Sequence, residues 1–96
     1  MQTTIKKNLS TFLIRVAVNL VLSDERTCSN VLSSSALALK HDLFNYQLPK
    51  LPIDSYKNWL DESSKAVVSL FQRKAAIQEI EKIAKKQASK LLRKHK

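Results

Sequence analysis

The sequence predicts an all-α protein with no β-sheet, and three observations favour this fold class. The chain has no glycine and only two prolines, whereas tight hairpin turns usually need glycine for a positive φ. It also has no Asn-Gly or Asp-Gly dipeptide, the strongest local sign of a β-hairpin. Apolar residues instead recur at intervals of three and four along most of the chain, which is the spacing of one helical face.

Length and composition predict a single domain over 1–96. Apolar residues make up 44% of the 96 residues and charged residues 26%, which is typical of a globular chain. A chain this short buries only about 60% of its unfolded surface, so its stability needs most of its apolar faces at once. We therefore expect three or four helices, either as a helical bundle or as a helical body with a long basic C-terminal helix.

A helical hairpin is predicted over 1–46, with helices at about 4–22 and 24–45. The apolar face of the first helix consists of Ile5, Leu9, Phe12, Leu13, Val16 and Leu20. The second helix starts after a break at 23–25, where Ser23 or Asp24 can serve as its N-cap. Its apolar face consists of Cys28, Val31, Leu32, Ala36, Leu39, Leu43 and Tyr46.

A proline-containing connector at 47–53 separates this hairpin from the rest of the chain. Pro49 and Pro52 each remove a backbone donor and push the preceding residue out of the helical region. Asp54 or Ser55 then caps a further helix. Its apolar face consists of Tyr56, Trp59, Leu60, Ser63, Val67, Leu70 and Phe71. We interpret Trp59 as a core residue rather than an exposed platform for a base, because it shares this face.

The segment 54–94 is predicted to be one long or kinked basic helix. It contains no helix breaker, and Ala75-Ala76 favours continuity. The alternative is a turn near 71–74, where the apolar face changes direction. In a projecting helix the apolar stripe needs a partner, so it predicts a homodimer or a subunit of a larger assembly. The residues of this helix interface are Leu70, Ile77, Ile80, Ala84 and Leu91.

Basic charge is concentrated at the C-terminal end of the chain. The stretch 73–96 holds nine lysines and arginines against two glutamates, a balance of +7 out of the net +9 of the whole chain. This excess is larger than solubility requires. The residues predicted to contact nucleic acid or another anionic partner are Lys82, Lys85, Lys86, Lys90, Arg93 and Lys94.

Two functions fit this pattern. The first is a small basic protein that binds the backbone of DNA or RNA without sequence specificity, since lysine-rich helical faces bind phosphates. The alternative is a helical-bundle interaction module, such as a subunit, inhibitor or immunity-type protein, that binds an acidic protein or meets another protein through its apolar helix faces. An anionic membrane surface is disfavoured because the apolar stripe of 77–91 lacks Trp and Phe.

The residues that usually carry catalysis or hold metals do not form a motif in this chain. His41 and Asp42 are adjacent and so point in different directions on a helix. The chain has no glycine-rich phosphate loop, and its single cysteine, Cys28, forms no Cys/His set with metal-ligand spacing. We expect no enzyme activity, no cofactor and no metal.

The expected compartment is the cytoplasm, because a single cysteine suits a reducing environment. We also expect a soluble protein, since no apolar run approaches the eighteen or more residues of a membrane span. Mitochondrial import is the alternative. Residues 1–23 carry Lys6, Lys7 and Arg15 with no acid before Asp24, which is typical of a presequence.

Overall fold

The computed structural model describes residues 2–41, 48 and 50–93, and these residues form four α-helices and no strand. The helices are α1 (Gln2–Val21), α2 (Glu25–His41), α3 (Ile53–Gln72) and α4 (Ile77–Arg93). The all-α prediction is confirmed. Residues 42–45, predicted as the end of the second helix, lie outside the described residues, so α2 is given only to His41.

Two helices form the centre of the bundle. Among the described residues, α1 and α3 each contact all three other helices, whereas α2 and α4 each contact α1 and α3 but not each other. Most described residues of the predicted apolar faces meet in one core, whereas Leu43 and Tyr46 of the second face lie outside the described residues. The buried members of the core are Leu9, Leu13, Val16, Ala17, Ala36, Leu39, Leu48, Tyr56, Trp59, Leu60, Val67, Leu70, Ile80, Ala84, Ala88 and Leu91. Trp59 is 3% exposed, which confirms its interpretation as a core residue.

The described part of the connector before α3 contributes two leucines to the packing of the bundle. Leu48 is buried, and Leu51 is partly buried against the core. Tyr56 is fully buried, and burial raises the pKa of its phenol, while a backbone hydrogen bond from Leu51 acts in the opposite direction. The two leucines and the tyrosine thus join the connector to the bundle.

The prediction of one long helix over 54–94 is wrong, because the chain reverses direction between α3 and α4. The Ala75 N–H donates to the Leu70 carbonyl at 3.0 Å, and the Lys74 N–H donates to the Phe71 carbonyl at 3.1 Å. This pair of hydrogen bonds is a Schellman motif, which ends a helix with one residue in the left-handed region. That residue is Lys74, with a φ of 56°. Glycine usually occupies this position, so the sequence lacked the usual sign of a helix end.

The reversal buries the apolar stripe of α4 within the same chain. Ile80, Ala84 and Leu91 of α4 belong to the core together with Leu70 of α3, so these predicted interface residues pack within the bundle rather than against a second molecule. The reason for expecting a homodimer through this stripe is thereby removed. Ile77 was also predicted to lie in this helix interface, but its side chain is 72% exposed. It is the first residue of α4 and lies beside the turn.

The helix starts agree with the sequence at α2 and differ at α3. The Asp24 carboxylate accepts hydrogen bonds from the Thr27 amide at 2.9 Å and the Thr27 hydroxyl at 2.6 Å, so Asp24 is the N-cap of α2. These two bonds, the hydroxyl one first, lower the pKa of Asp24 from its ordinary value of 3.8. The predicted caps Asp54 and Ser55 lie inside α3, which starts at Ile53 because Pro52, with an extended ψ of 147°, stands at the N-cap.

We predict that Lys74→Gly stabilises the protein by about 1 kcal/mol, because glycine adopts a positive φ without the clash of a Cβ atom. Urea unfolding measures this as a rise in the transition midpoint. Lys74→Ala is the matched control, since it removes the charge but keeps the Cβ atom and should change stability little. In a continuous helix glycine has the opposite effect and destabilises by about 1 kcal/mol, so a lower midpoint for Lys74→Gly contradicts the turn.

We predict that the cap at Asp24 makes the stability of α2 depend on pH. Because the folded-state pKa lies below the unfolded one, the charge-dependent stabilisation is present above pH 3.8 and is lost as pH falls through the folded-state pKa. Asp24→Ala should lower the melting temperature at pH 7 more than Asp24→Asn, which keeps an oxygen acceptor. Thermal denaturation from pH 7 to pH 2 should show the gap between wild type and Asp24→Asn closing; a constant gap contradicts the assignment.

Candidate functional site

The basic residues of α4 line a shallow groove that α1 helps to form. The described residues around this groove are Lys6, Glu79, Lys82, Ile83, Lys85, Lys86, Ser89 and Arg93. They include five cations and one acid. The groove therefore joins a lysine near the start of the chain to the basic face near its end.

The buried side of α4 determines where its cations point. Ile80, Ala84, Ala88 and Leu91 recur at intervals of three and four and are all buried. Two hydrogen bonds from α3 add to this packing: Trp59 Nε1–H donates to the Gln87 carbonyl at 2.9 Å, and the Ser63 hydroxyl donates to Gln87 Oε1 at 3.3 Å. The packing and these bonds fix the rotation of α4 about its axis, so its cationic face stays in solvent.

The structure brings together most of the residues predicted to contact an anionic partner. Lys82, Lys85, Lys86 and Arg93 all line the groove. Lys90 is exposed on α4 but is not among the groove residues. Lys94 lies outside the described residues.

Lys6 is the groove cation that the predicted set omitted. It lies near the N-terminus of α1, where the helix dipole disfavours a cation. Its position is therefore not explained by the local stability of α1, and this was the one sign in the sequence of another role. Only the packing of α1 against α4 shows where its side chain lies.

Charge is distributed unequally between the two halves of the bundle. Helix α1 has three cations and no acid, and α4 has five cations and two acids, so this packed pair carries +6. Helix α2 has two cations and one acid, and α3 has two cations and three acids, so together they are neutral. The α1 and α4 helices therefore carry the net positive charge of the four helices.

The groove cations lack acidic partners within the described part of the chain. The ion pairs there are Lys65–Asp61 at 3.3 Å and Arg73–Glu79 at 4.0 Å. The single groove acid, Glu79, thus pairs with an arginine that is not a groove residue. Arg93 donates from Nε to the Ser89 carbonyl at 3.4 Å, which satisfies one donor of its guanidinium and leaves its charge uncompensated.

The described residues show neither a metal site nor a membrane-spanning helix. They contain no group of three or more His, Cys, Asp or Glu side chains placed to hold a metal ion. None of the helices they form combines the length and apolar character needed to cross a bilayer. The cationic groove is the feature with the clearest chemistry.

Comparisons of the chain with protein-family models, with curated proteins and with solved structures found no match. Similarity therefore assigns neither a family nor a function. What the molecule offers to a partner is the groove and the unequal charge of its two halves.

We predict that Lys86→Gln stabilises the free protein by about 0.4–1 kcal/mol at low ionic strength, because Lys86 has a like charge four residues away on both sides, at Lys82 and Lys90. Glutamine keeps a similar helix propensity. Lys57→Gln on α3 is the matched control: its neighbour at i+4 is Asp61, so it should not stabilise. Urea unfolding at two salt concentrations tests this, and a gain for Lys86→Gln that persists in 1 M salt contradicts an electrostatic cause.

Proposed function

We propose that this chain is a small, non-enzymatic basic protein of the cytoplasm that binds the backbone of nucleic acids without sequence specificity. The observation that carries the proposal is the groove, where five cations from two helices surround one acid that is already paired. Phosphate groups supply the missing counter-charge. The proposal includes no cofactor.

The spacing of the cations favours a regular polyanion over an acidic protein. Lys82 and Arg93 are eleven residues apart, about 17 Å at a rise of 1.5 Å per residue. Lys85 and Lys86 lie between them on the same exposed side of α4. A helix with cations at each turn suits evenly spaced phosphates, and four lysines among the five groove cations suit point-charge binding to them.

The alternative, an interaction module that binds another protein through apolar helix faces, needs residues other than those first proposed for it. The residues first proposed on α4 are mostly in the core, where Ile80, Ala84 and Leu91 are buried. One observation favours a smaller apolar contact elsewhere: Val18, Val21 and Leu22 are exposed at the end of α1, Leu22 to 80%. An apolar contact of this kind survives high salt, whereas phosphate binding does not. Co-purification at high salt therefore distinguishes the two functions.

We predict that the wild-type protein binds a 20-base-pair DNA duplex with a slope of log K against log salt of roughly −3 to −4, as expected for four phosphate contacts. Lys82→Gln/Lys86→Gln should weaken binding and reduce the magnitude of the slope by about 1.8, since two contacts are lost. Fluorescence anisotropy over a series of salt concentrations gives both values.

The matched control is Lys50→Gln/Lys57→Gln, which removes the same total charge from exposed positions outside the groove. It should leave the slope nearly unchanged. Equal effects of the two double variants mean that net charge, and not the groove, drives binding. No detectable affinity for DNA or RNA at low salt ends the proposal.

A further inference from the structure

We infer that the nucleic acid bound by the basic surface of α1 and α4 is double-stranded DNA. In this complex the exposed side of α4 lies in the major groove, and Lys6 of α1 contacts an adjacent phosphate. This inference rests on the proposed function and adds the form of the nucleic acid and the way it docks. Three features carry it: the angular spread of the α4 cations, the exposure of α4 at the edge of the bundle, and the full or partial burial of the aromatic side chains that the structure describes.

The cations of α4 cover a wide arc rather than a narrow stripe. At 100° per residue, Lys85 and Lys90 are about 140° apart around the helix axis, with Lys82 and Arg93 near the middle of the arc. All four side chains are exposed. A single strand lying along the helix needs only one row of cations. A helix that lies in the major groove has the phosphate backbone of one DNA strand on each side. It therefore needs cations on both of its flanks, and Lys85 and Lys90 supply them.

The dimensions and position of α4 allow it to enter the major groove of duplex DNA. Its 17 residues form a rod of about 25 Å, and a helix with side chains is about 10–12 Å across, against a major groove about 12 Å wide. Among the described residues α4 contacts only α1 and α3, so its outer side is free of other helices. The major groove of an RNA duplex is deep and too narrow for side chains to read, which favours DNA over RNA.

The aromatic residues favour a duplex over a single strand. Proteins that bind single strands stack the bases on exposed aromatic side chains. In the described part of this chain, Tyr56 and Trp59 are in the core, and Phe12 and Phe71 are partly buried against it. The described surface thus offers phosphate contacts without a stacking platform.

The first test compares one 20-nucleotide sequence as duplex DNA, duplex RNA and single-stranded DNA at the same low salt concentration. We expect duplex DNA to bind at least about tenfold more tightly than the other two, and methyl green, which occupies the major groove, to displace the protein. Equal or tighter binding of single-stranded DNA or duplex RNA overturns the inference but leaves the proposed function standing. No binding to any of the three overturns both.

The second test uses the two flanks of α4. Lys85→Gln and Lys90→Gln each remove one charge from opposite edges of the arc, and both side chains are exposed. On duplex DNA we expect each variant to weaken binding and to reduce the magnitude of the salt slope by about 0.9. An effect confined to one of the two means that α4 meets a single row of phosphates, which overturns the docking in the major groove. Circular dichroism of both variants checks that their helices are intact.

Discussion

The left-handed turn at Lys74 is the constraint on which the rest of the structure depends. A residue with a Cβ atom in this conformation costs about 1–2 kcal/mol. The reversal that it allows lets Ile80 and Leu91 join the core, and burying a large apolar side chain contributes about 1.5–3 kcal/mol. The burial outweighs the cost of the turn, so α4 folds back against α1 and α3. The outward direction of its cations follows from that packing.

Packing α1 against α4 places two helices with a charge of +3 each side by side. Electrostatics alone disfavours this arrangement, since charges within about 8–10 Å of one another are incompletely screened at physiological salt. The shared apolar core, with Leu9 and Leu13 of α1 and Ala84 and Leu91 of α4, holds the pair together. The energy of the core thus maintains a local excess of positive charge on these two helices.

The sequence predicted those features of the fold that depend on residues close together in the chain. The buried faces of α1, α2 and α3, the role of Trp59, the cap at Asp24 and the direction of the α4 cations all follow from spacings of three and four or from one capping residue. The change in direction of the apolar face near 71–74 indicated the α3–α4 turn only as an alternative to one long helix, because the usual sign of such a turn is a glycine and Lys74 stands there instead. The contribution of Lys6 depends on a contact between the first and last helices, which no local pattern encodes.

The balanced charges of α3 make the unbalanced charges of α4 informative. On α3 the i,i+4 spacing joins Asp61 to Lys65, an attractive pair. On α4 the same spacing joins Glu81 to Lys85, which attract, but it also joins Lys82 to Lys86 and Lys86 to Lys90, and these two pairs repel. Two helices of one bundle thus differ in how their exposed charges are arranged, although both face the same solvent. Solubility does not account for the repulsive arrangement, because interspersed signs such as those of α3 also keep a surface hydrated. The polyanion proposed as the partner would supply the counter-charges that this arrangement lacks.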